Sequence, residues 1–318
     1  MTYYSPLNAI DPSLVGPYAL DPGPCDLHVE SVTKHYDGFS LRDVALDVPR
    51  GSVVGLVGRN GAGKTTLMKV VLGATLPDSG RVELFGTNYA ALSDAERARL
   101  RERVGFVGAT VAYPAGMTVT DVMRMYELAY PAFNRARCHQ LCTDMGLDAP
   151  QRKVSELSRG MGMKLQLACV LASGAELLLL DEPTSGLDPI VREEVLDILR
   201  TWMEDEGHSM LVSSHITSDL EHLADYLVMI EQGQVVLACE RDLISDLMGV
   251  AQLRADELER VRAEWPFGQV QLRVIDRGLY KSLLVPSRTT FHELFPAYAC
   301  DRANIDDVMS FIVKGKVI

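Results

Sequence analysis

The chain opens without periodicity. Pro6, Pro12, Pro17, Pro22 and Pro24 punctuate residues 1–26, which read as an extended N-terminal tail. At Leu27 the texture changes. Leu27, Val29 and Val32 begin strand-like material, and Leu41, Val44, Leu46 and Val48 follow in near alternation, the period of a strand with one buried face. Val53 to Val57 is a short apolar run that ends in a Gly-rich turn, and Thr65 to Leu72 has helical spacing. Val82 to Phe85 and Val104 to Val107 predict two further strands.

From Thr118 the pattern turns helical. Thr118 and Asp121 have the spacing of a capping box, with Asp in place of Glu or Gln. Helical material continues to Gly146 with a break at Pro131, and Ser155 to Ser173 has the apolar spacing of a buried helix. Leu177 to Leu180 has no polar face, as expected of a strand covered on both sides. Arg192 to Glu206 reads as an amphipathic helix, Met210 to Val212 and Leu227 to Ile230 as strands, and Ser218 to Ala224 as a helix between them. Gln232-Gly233-Gln234 is an ordinary hairpin bend before a closing strand at Val235 to Ala238. From Arg241 onward Asp256 to Glu264 predicts a charged helix. Val270, Leu272 and Val274 alternate, Asp276-Arg277-Gly278 turns the chain toward Leu283 to Val285, and Ile305 to Val313 predicts a last helix. The organisation read from this is a tail (1–26), a main unit (27–240) whose helical part covers about 110–160, and a small α+β extension (241–318).

Composition narrows the possibilities. At 318 residues and 47% hydrophobic side chains the chain has material for a sizeable core and about two domains. Lys and Arg number 31 against 43 Asp and Glu, a formal charge of −12, which disfavours a general nucleic-acid binder and a direct lipid anchor. The longest apolar candidate, Leu167 to Leu180, is broken by Ser173, Gly174 and Glu176, so no membrane helix is expected. The start MTYYSPLNAIDPS has no basic flank or apolar run, so no secretory signal is expected and the expected compartment is the cytosol. Six scattered cysteines do not make a disulfide framework. Cys138, His139 and Cys142 invite a metal reading, but no second ligand pair lies nearby at zinc spacing, and a helix face with buried thiols is preferred.

Two motifs carry chemistry. Gly58-Arg59-Asn60-Gly61-Ala62-Gly63-Lys64-Thr65 matches G-x-x-x-x-G-K-[ST] between an expected strand and an expected helix. Glycines let successive N–H groups point at phosphate oxygens, the following helix adds its positive end, Lys64 reaches the β- and γ-phosphates, and the Thr65 hydroxyl can ligate Mg²⁺. The run Leu177 to Leu180 ends in Asp181 and Glu182, so a buried strand delivers two carboxylates to its tip. Asp181 is expected to hold Mg²⁺, directly or through water, and Glu182 to polarise the attacking water.

The succession GRNGAGKTT (Gly58 to Thr66), LSRGM, LLLLDEPTSGLD and SSH resembles the nucleotide-binding subunit of ABC transporters over about residues 27–240. LSRGMGMKLQLA and DPIVREEVLDIL look like bacterial subunits that energise type-2 exporters, some of them linked to drug or antibiotic efflux. The resemblance implies a P-loop NTPase of α/β class, with a mixed sheet core, a helical subdomain and an antiparallel β subdomain. It implies that Tyr36, 22 residues before Gly58, stacks on adenine. Ser158 and Gly160 would contact the γ-phosphate held by a second subunit, Asp188 would sit in the loop at the dimer seam, and His215 would contact the γ-phosphate. Thr66 falls inside the phosphate-binding run. Two positions depart from the family pattern. Arg159 and Met161 stand where Gly and Gln are commoner. Ala109 stands where a glutamine usually senses Mg²⁺ and links to the membrane subunit, so hydrolysis is slow or Thr110 or a water substitutes.

The implied protein is an ATPase with Mg²⁺, acting with a second ATPase subunit (identical or different) and an integral-membrane permease, placed peripherally on the cytoplasmic side of the membrane. Motion of residues 109–145 would pass to that partner. The alternative is a soluble or regulatory ATPase of the same type. Repair types insert a long coiled coil, for which the 94 residues from Lys64 to Ser158 leave no room, and translation types carry two cassettes. Ala109 keeps open an ATP-binding module with weak turnover.

Overall fold

The computed structural model describes residues 24–110, 113–147, 149–265 and 272–318. Most of the expected tail (1–23) and Val270 of the expected hairpin lie outside the described residues. Among the described residues, three sheets carry the fold. The central sheet contains β3 (Val53–Val57), β6 (Val104–Val107), β7 (Leu177–Asp181), β8 (Ser209–Ser214), β9 (Tyr226–Glu231) and β10 (Gln234–Glu240). Its order is β10-β9-β3-β8-β7-β6, parallel throughout except for the β9–β10 hairpin. An antiparallel sheet of β1 (Cys25–Tyr36), β2 (Phe39–Pro49), β4 (Ser79–Leu84) and β5 (Thr87–Asn88) lies beside it in the order β2-β1-β4-β5. A third, antiparallel sheet has the order β14-β11-β13-β12-β15, from β11 (Gly249–Leu253), β12 (Arg273–Asp276), β13 (Lys281–Val285), β14 (Cys300–Arg302) and β15 (Lys316–Val317).

Among the described residues the α-helices are α1 (Lys64–Val71), α2 (Asp94–Arg101), α3 (Val119–Ala129), α4 (Arg135–Asp144), α5 (Arg159–Leu171), α6 (Pro189–Trp202), α7 (Thr217–Leu223), α8 (Arg241–Leu247), α9 (Ala255–Glu264), α10 (Arg288–Leu294) and α11 (Ile305–Lys314). This is a mixed α/β architecture: a largely parallel core sheet, an antiparallel sheet against one face, and helices against the other.

The central strands are apolar on both faces because each face feeds a different core. Successive side chains of a strand point to opposite sides. Val54, Leu56, Leu177, Leu179 and Leu211 accordingly join Leu27, Leu46, Leu67 and Val71 under the antiparallel sheet. Val53, Val57, Leu178, Leu180, Met210 and Val212 join α3, α5 and α6 through Val122, Leu165 and Val195. Burying one such side chain contributes about 1.5–3 kcal/mol. A polar staple crosses between the two layers. Asp26, buried at the start of β1, accepts bonds from Arg50 Nε (3.1 Å), Arg50 Nη2 (3.0 Å) and Ser209 Oγ (2.8 Å).

Local codes set several helix ends. Thr118 N donates to Asp121 Oδ2 (2.8 Å) and Asp121 N donates to Thr118 Oγ1 (3.1 Å), so the Asp-closed capping box forms. The break near Pro131 is also present, between α3 and α4. The expected helix from Ser155 is corrected: Val154–Glu156 is a 3₁₀ turn, and α5 starts at Arg159 with Ser158 as N-cap, its Oγ accepting from Met161 N (3.2 Å). The expected Arg192 to Glu206 helix is shifted toward its N-terminus, because Asp188 caps it and Pro189 starts it. Cys138 and Cys142 are buried while His139 on the same helix is exposed, and among the described residues no metal-holding group is found. Cys138 Sγ lies 3.7 Å from Cys169 Sγ, so these are core thiols joining α4 to α5.

The last sheet is not a detached appendage. Its own core holds Leu253, Val261, Leu283 and Phe291. Ile275, Leu284, Ile305, Val308 and Phe311 instead join the main core beside Leu220 and Leu227.

Burial makes most thiols inert. The Cys142 thiol, hydrogen-bonded with Cys138 and buried, is pushed far above the usual thiol range, and burial pushes Cys239 up to about 12 and Cys300 up to about 11. Of the six cysteines, only the half-buried Cys25 is expected to react quickly with a disulfide reagent at pH 8 in the folded chain. Two or more fast thiols per chain in a stopped-flow titration would contradict this packing.

Candidate functional site

The C-terminal ends of three adjacent parallel strands meet at one edge of the central sheet: β3, β8 and β7. In open parallel sheets this edge is where ligands sit. From β3 the chain enters the Gly58–Thr65 loop and then α1. Gly63 caps α1 with φ 117° and no side-chain cap, and no acidic residue occupies the first turn, so the helix presents unfilled N–H groups and its positive end. A β-carbon at Gly63 would lie 2.7 Å from Leu41 Cδ2 and 2.8 Å from the Phe39 ring. At Gly58 a β-carbon would lie 2.4 Å from the Ile230 carbonyl oxygen. The loop is braced from outside by the β9–β10 bend, where Gly233 N donates to Ala62 O (3.0 Å) and Gly233 O accepts from Arg42 N (2.8 Å). The bend is therefore part of the loop's support and not an ordinary connection.

Lys64 is only 6% exposed. Its Nζ donates to Gly58 O (2.7 Å) and lies 3.3 Å from Glu182 Oε1. Thr65 Oγ1 donates to Asp181 Oδ2 (2.7 Å), across 116 residues of sequence. Asp181 is buried, and its Oδ1 accepts from Ser213 Oγ (2.7 Å). Glu182 Oε2 is in short contact with His215 Nδ1. One hydrogen-bonded group thus joins Lys64, Thr65, Asp181, Glu182, Ser213 and His215. Removing one member of a buried ion pair typically costs about 3–5 kcal/mol, because the partner charge is left uncompensated. The cluster is therefore tightly interdependent.

Other residues singled out in the sequence lie elsewhere. Tyr36, 45% exposed, ends β1, with Lys34 Nζ 5.9 Å from its ring centre. Arg59, Asn60 and Gly61 are exposed on the outer curve of the loop, and Thr66 is half-buried in α1. Ser158 is exposed and its recorded bonds are local, to Met161 and Gly162. Asp188 Oδ1 accepts from Ile190 N (3.2 Å) and Val191 N (3.1 Å). Gly160 lies against Val191, and the Arg159 guanidinium lies over Gly186, so the 157–161 segment packs on the 185–191 segment. Arg159 thus fills, on Gly186, a place that a glycine would leave open. Ala109 is half-buried two residues past β6, the edge strand beside β7.

Sequence reasoning missed two supports. Ser213 was quoted only as part of a motif. Buried Asp219 accepts from Thr184 Oγ1 (2.5 Å) and Arg192 Nε (2.5 Å), tying the loop after Glu182 to the helix after His215. The only signal in the sequence is that Ser213 sits at the end of the apolar run Met210–Val212, where a hydroxyl needs a partner.

Because backbone and not a flexible side-chain tip opposes Gly58, Gly58→Ala is expected to lower unfolding free energy by about 1–3 kcal/mol. Urea melts check this, and a change under about 0.5 kcal/mol would mean that β9 at Ile230 yields freely.

Comparisons with known proteins identify the family. The family described as ABC transporter matches residues 41–185. The bacitracin transport ATP-binding protein BcrA of Enterococcus faecalis is 34% identical over 212 residues, 66% of this chain and 68% of the relative. The aliphatic sulfonates import ATP-binding protein SsuB of Cupriavidus necator is 34% identical over 250 residues, 77% of this chain and 80% of the relative. A solved ATP-binding subunit of an ABC transporter superposes with TM-score 0.62 at 26% identity, covering 69% of this chain and 91% of that one. The chain belongs to the ATP-binding subunits of ABC transporters and is an ATPase of that family.

Proposed function

We propose that this chain binds and hydrolyses ATP to energise export through a separate integral-membrane permease, as one of two ATPase subunits. The observation that carries the reading is the single bonded cluster of Lys64, Thr65, Asp181, Glu182 and His215 at three strand ends. In this reading residues 27–240 are the ATPase domain, about 110–160 its helical subdomain, and 241–318 an extension.

Gly58 to Thr66 would cradle the triphosphate, with Lys64 on its terminal phosphates. Thr65 Oγ1 and Asp181 Oδ2 are oxygen donors 2.7 Å apart, the hard set that suits Mg²⁺. Those two residues would hold Mg²⁺, which when bound would neutralise phosphate charge. The γ-phosphate competes with Glu182 for Lys64 and His215, so its arrival releases the carboxylate to hold a water and accept its proton. The exposed Tyr36 ring offers a face for adenine. Ser158, Gly160 and Asp188 would complete the site of a second copy or a related subunit, which accounts for the local character of their bonds within one chain.

Among the described residues no helix is long and apolar enough to cross a membrane. With a net charge of −12, attachment through a permease at the cytoplasmic face is the physical route, rather than lipid or nucleic acid. On α3, Leu128 is 82% exposed and Met125 is partly exposed along a groove of about 570 Å³ that also includes Met117 and Arg124. This apolar face suits a membrane partner. The relative named for bacitracin transport supports an antibiotic-type cargo and export, and the relative named for sulfonate import defines the opposite direction as an outcome of the test. Ala109 favours a second reading, an ATP-holding regulatory module with weak turnover.

Glu182→Gln is expected to lower phosphate release from Mg²⁺-ATP by about 10²-fold or more while nucleotide affinity stays within a few-fold. Unchanged turnover would remove Glu182 from the chemistry. Wild-type protein reconstituted with its permease in inverted vesicles is expected to accumulate cargo on adding ATP. Efflux would instead indicate import, and retention of ATP without phosphate release would favour the regulatory module.

A further inference from the structure

We propose that Ser213 is the positioning residue of the Asp181–Glu182 strand tip, fixing one carboxylate's orientation and the other residue's backbone at the same time. The inference rests on the reading that these two residues act on Mg²⁺-ATP.

Ser213 is fully buried near the end of a strand whose inner positions, Met210, Leu211 and Val212, are apolar. A hydroxyl sealed into such a strand demands a partner. Parallel register sets Ser213 directly beside Asp181. Its Oγ donates to Asp181 Oδ1 at 2.7 Å and accepts the Glu182 N–H at 3.0 Å, while its own carbonyl shares that N–H at 3.2 Å. One hydroxyl therefore acts as donor and acceptor at once. With Oδ1 held by Ser213, Asp181 Oδ2 faces Thr65.

The acceptor side matters equally. Glu182 has φ 54°, a left-handed conformation that a side-chain-bearing residue keeps only where its surroundings impose it. The two acceptors on Ser213 hold its N–H, and His215, in the bend just after β8, holds its carboxylate. The end of β8 and the bend after it thus grip Glu182 by backbone and by side chain. An apolar residue at 213 would keep the sheet pairing and the carbonyl contact. It would leave Asp181 Oδ1 buried without its donor and Glu182 N–H on the longer bond alone.

The test compares Ser213→Ala with Ser213→Cys, which keeps the size of the side chain but donates weakly. Measured against wild type, Ser213→Ala is expected to lower kcat about tenfold, to keep KM for ATP within about twofold, and to raise the half-saturating Mg²⁺ several-fold. The last is read as Mg²⁺-dependent retention of a fluorescent ATP analogue, independently of turnover. Affinity for that analogue without Mg²⁺ is expected to be unchanged, and Ser213→Cys to fall between. The proposal is overturned if Ser213→Ala keeps wild-type kcat and Mg²⁺ dependence. It is also overturned if Mg²⁺-free affinity falls in step with kcat, or if Ser213→Ala unfolds while Ser213→Cys behaves as wild type; either marks Ser213 as packing only. Absence of Mg²⁺-ATP turnover in the wild-type protein with its permease would instead fell the reading on which the inference rests.

Discussion

The register among β3, β8 and β7 is the constraint on which the site depends. Val57 pairs with Ser214, and Asp181 pairs with Ser213, so the strand ends leading to the Gly58–Thr65 loop, to His215 and to the two carboxylates stop at one level. A one-residue slip in any of them would exchange the two faces of that strand. Here both faces are buried in different cores, Leu177 and Leu179 in one, Leu178 and Leu180 in the other. A slip would not exchange apolar for polar, because all four are leucines. What penalises it is the end of the run, where Asp181 would leave Thr65 and Ser213 and enter an apolar layer. The polar tip therefore specifies the register as much as the register builds the tip.

Much of this was legible because local codes were strong. Val104–Val107 appears as a strand with the boundaries its four-residue pattern predicts, and the Thr118–Asp121 box caps α3 through both expected bonds. The phosphate loop was readable because G-x-x-x-x-G-K-T between an expected strand and helix is a local code, while the contacts that oppose Gly58 and Gly63 come from the distant Ile230, Leu41 and Phe39. α2 was not readable, since among its eight residues only Leu100 is buried and no apolar stripe marks it. The start of α5 was misplaced because both Ser155 and Ser158 look like caps, and the chain spends the first on a 3₁₀ turn. Strands as short as Cys300–Arg302 and Lys316–Val317 carry too few residues to show a period.

The site was legible as separate residues but not as a bonded whole. Lys64, Asp181, Glu182 and His215 could each be named from motifs. That Ser213 bridges the two carboxylate residues follows only from cross-strand pairing. The support of the phosphate loop by Gly233 likewise depends on β9 lying beside β3. Sequence motifs record the chemistry at strand ends. They do not record which neighbour holds each end still.

Ala109 shows the converse, a position kept while its side chain is not. β6 pairs with β7 as far as Val107 and Leu180, and Ala109 follows two residues past that last pair on its chain, as Glu182 does on the other. An amide at that point could bond across the strand tips, and a methyl group cannot. Within the helical segment the contacts are made by packing. Tyr113, four residues on, bonds Tyr126 of α3 through their hydroxyls at 3.1 Å, and Tyr126 stacks on Tyr130 with centres 5.4 Å apart. Burial holds the Tyr113 hydroxyl far above its ordinary ionisation range, so this bond stays neutral at any pH the protein meets. Tyr113 is therefore fixed to α3 by ring packing and one neutral hydrogen bond, a contact that needs neither a metal nor a phosphate.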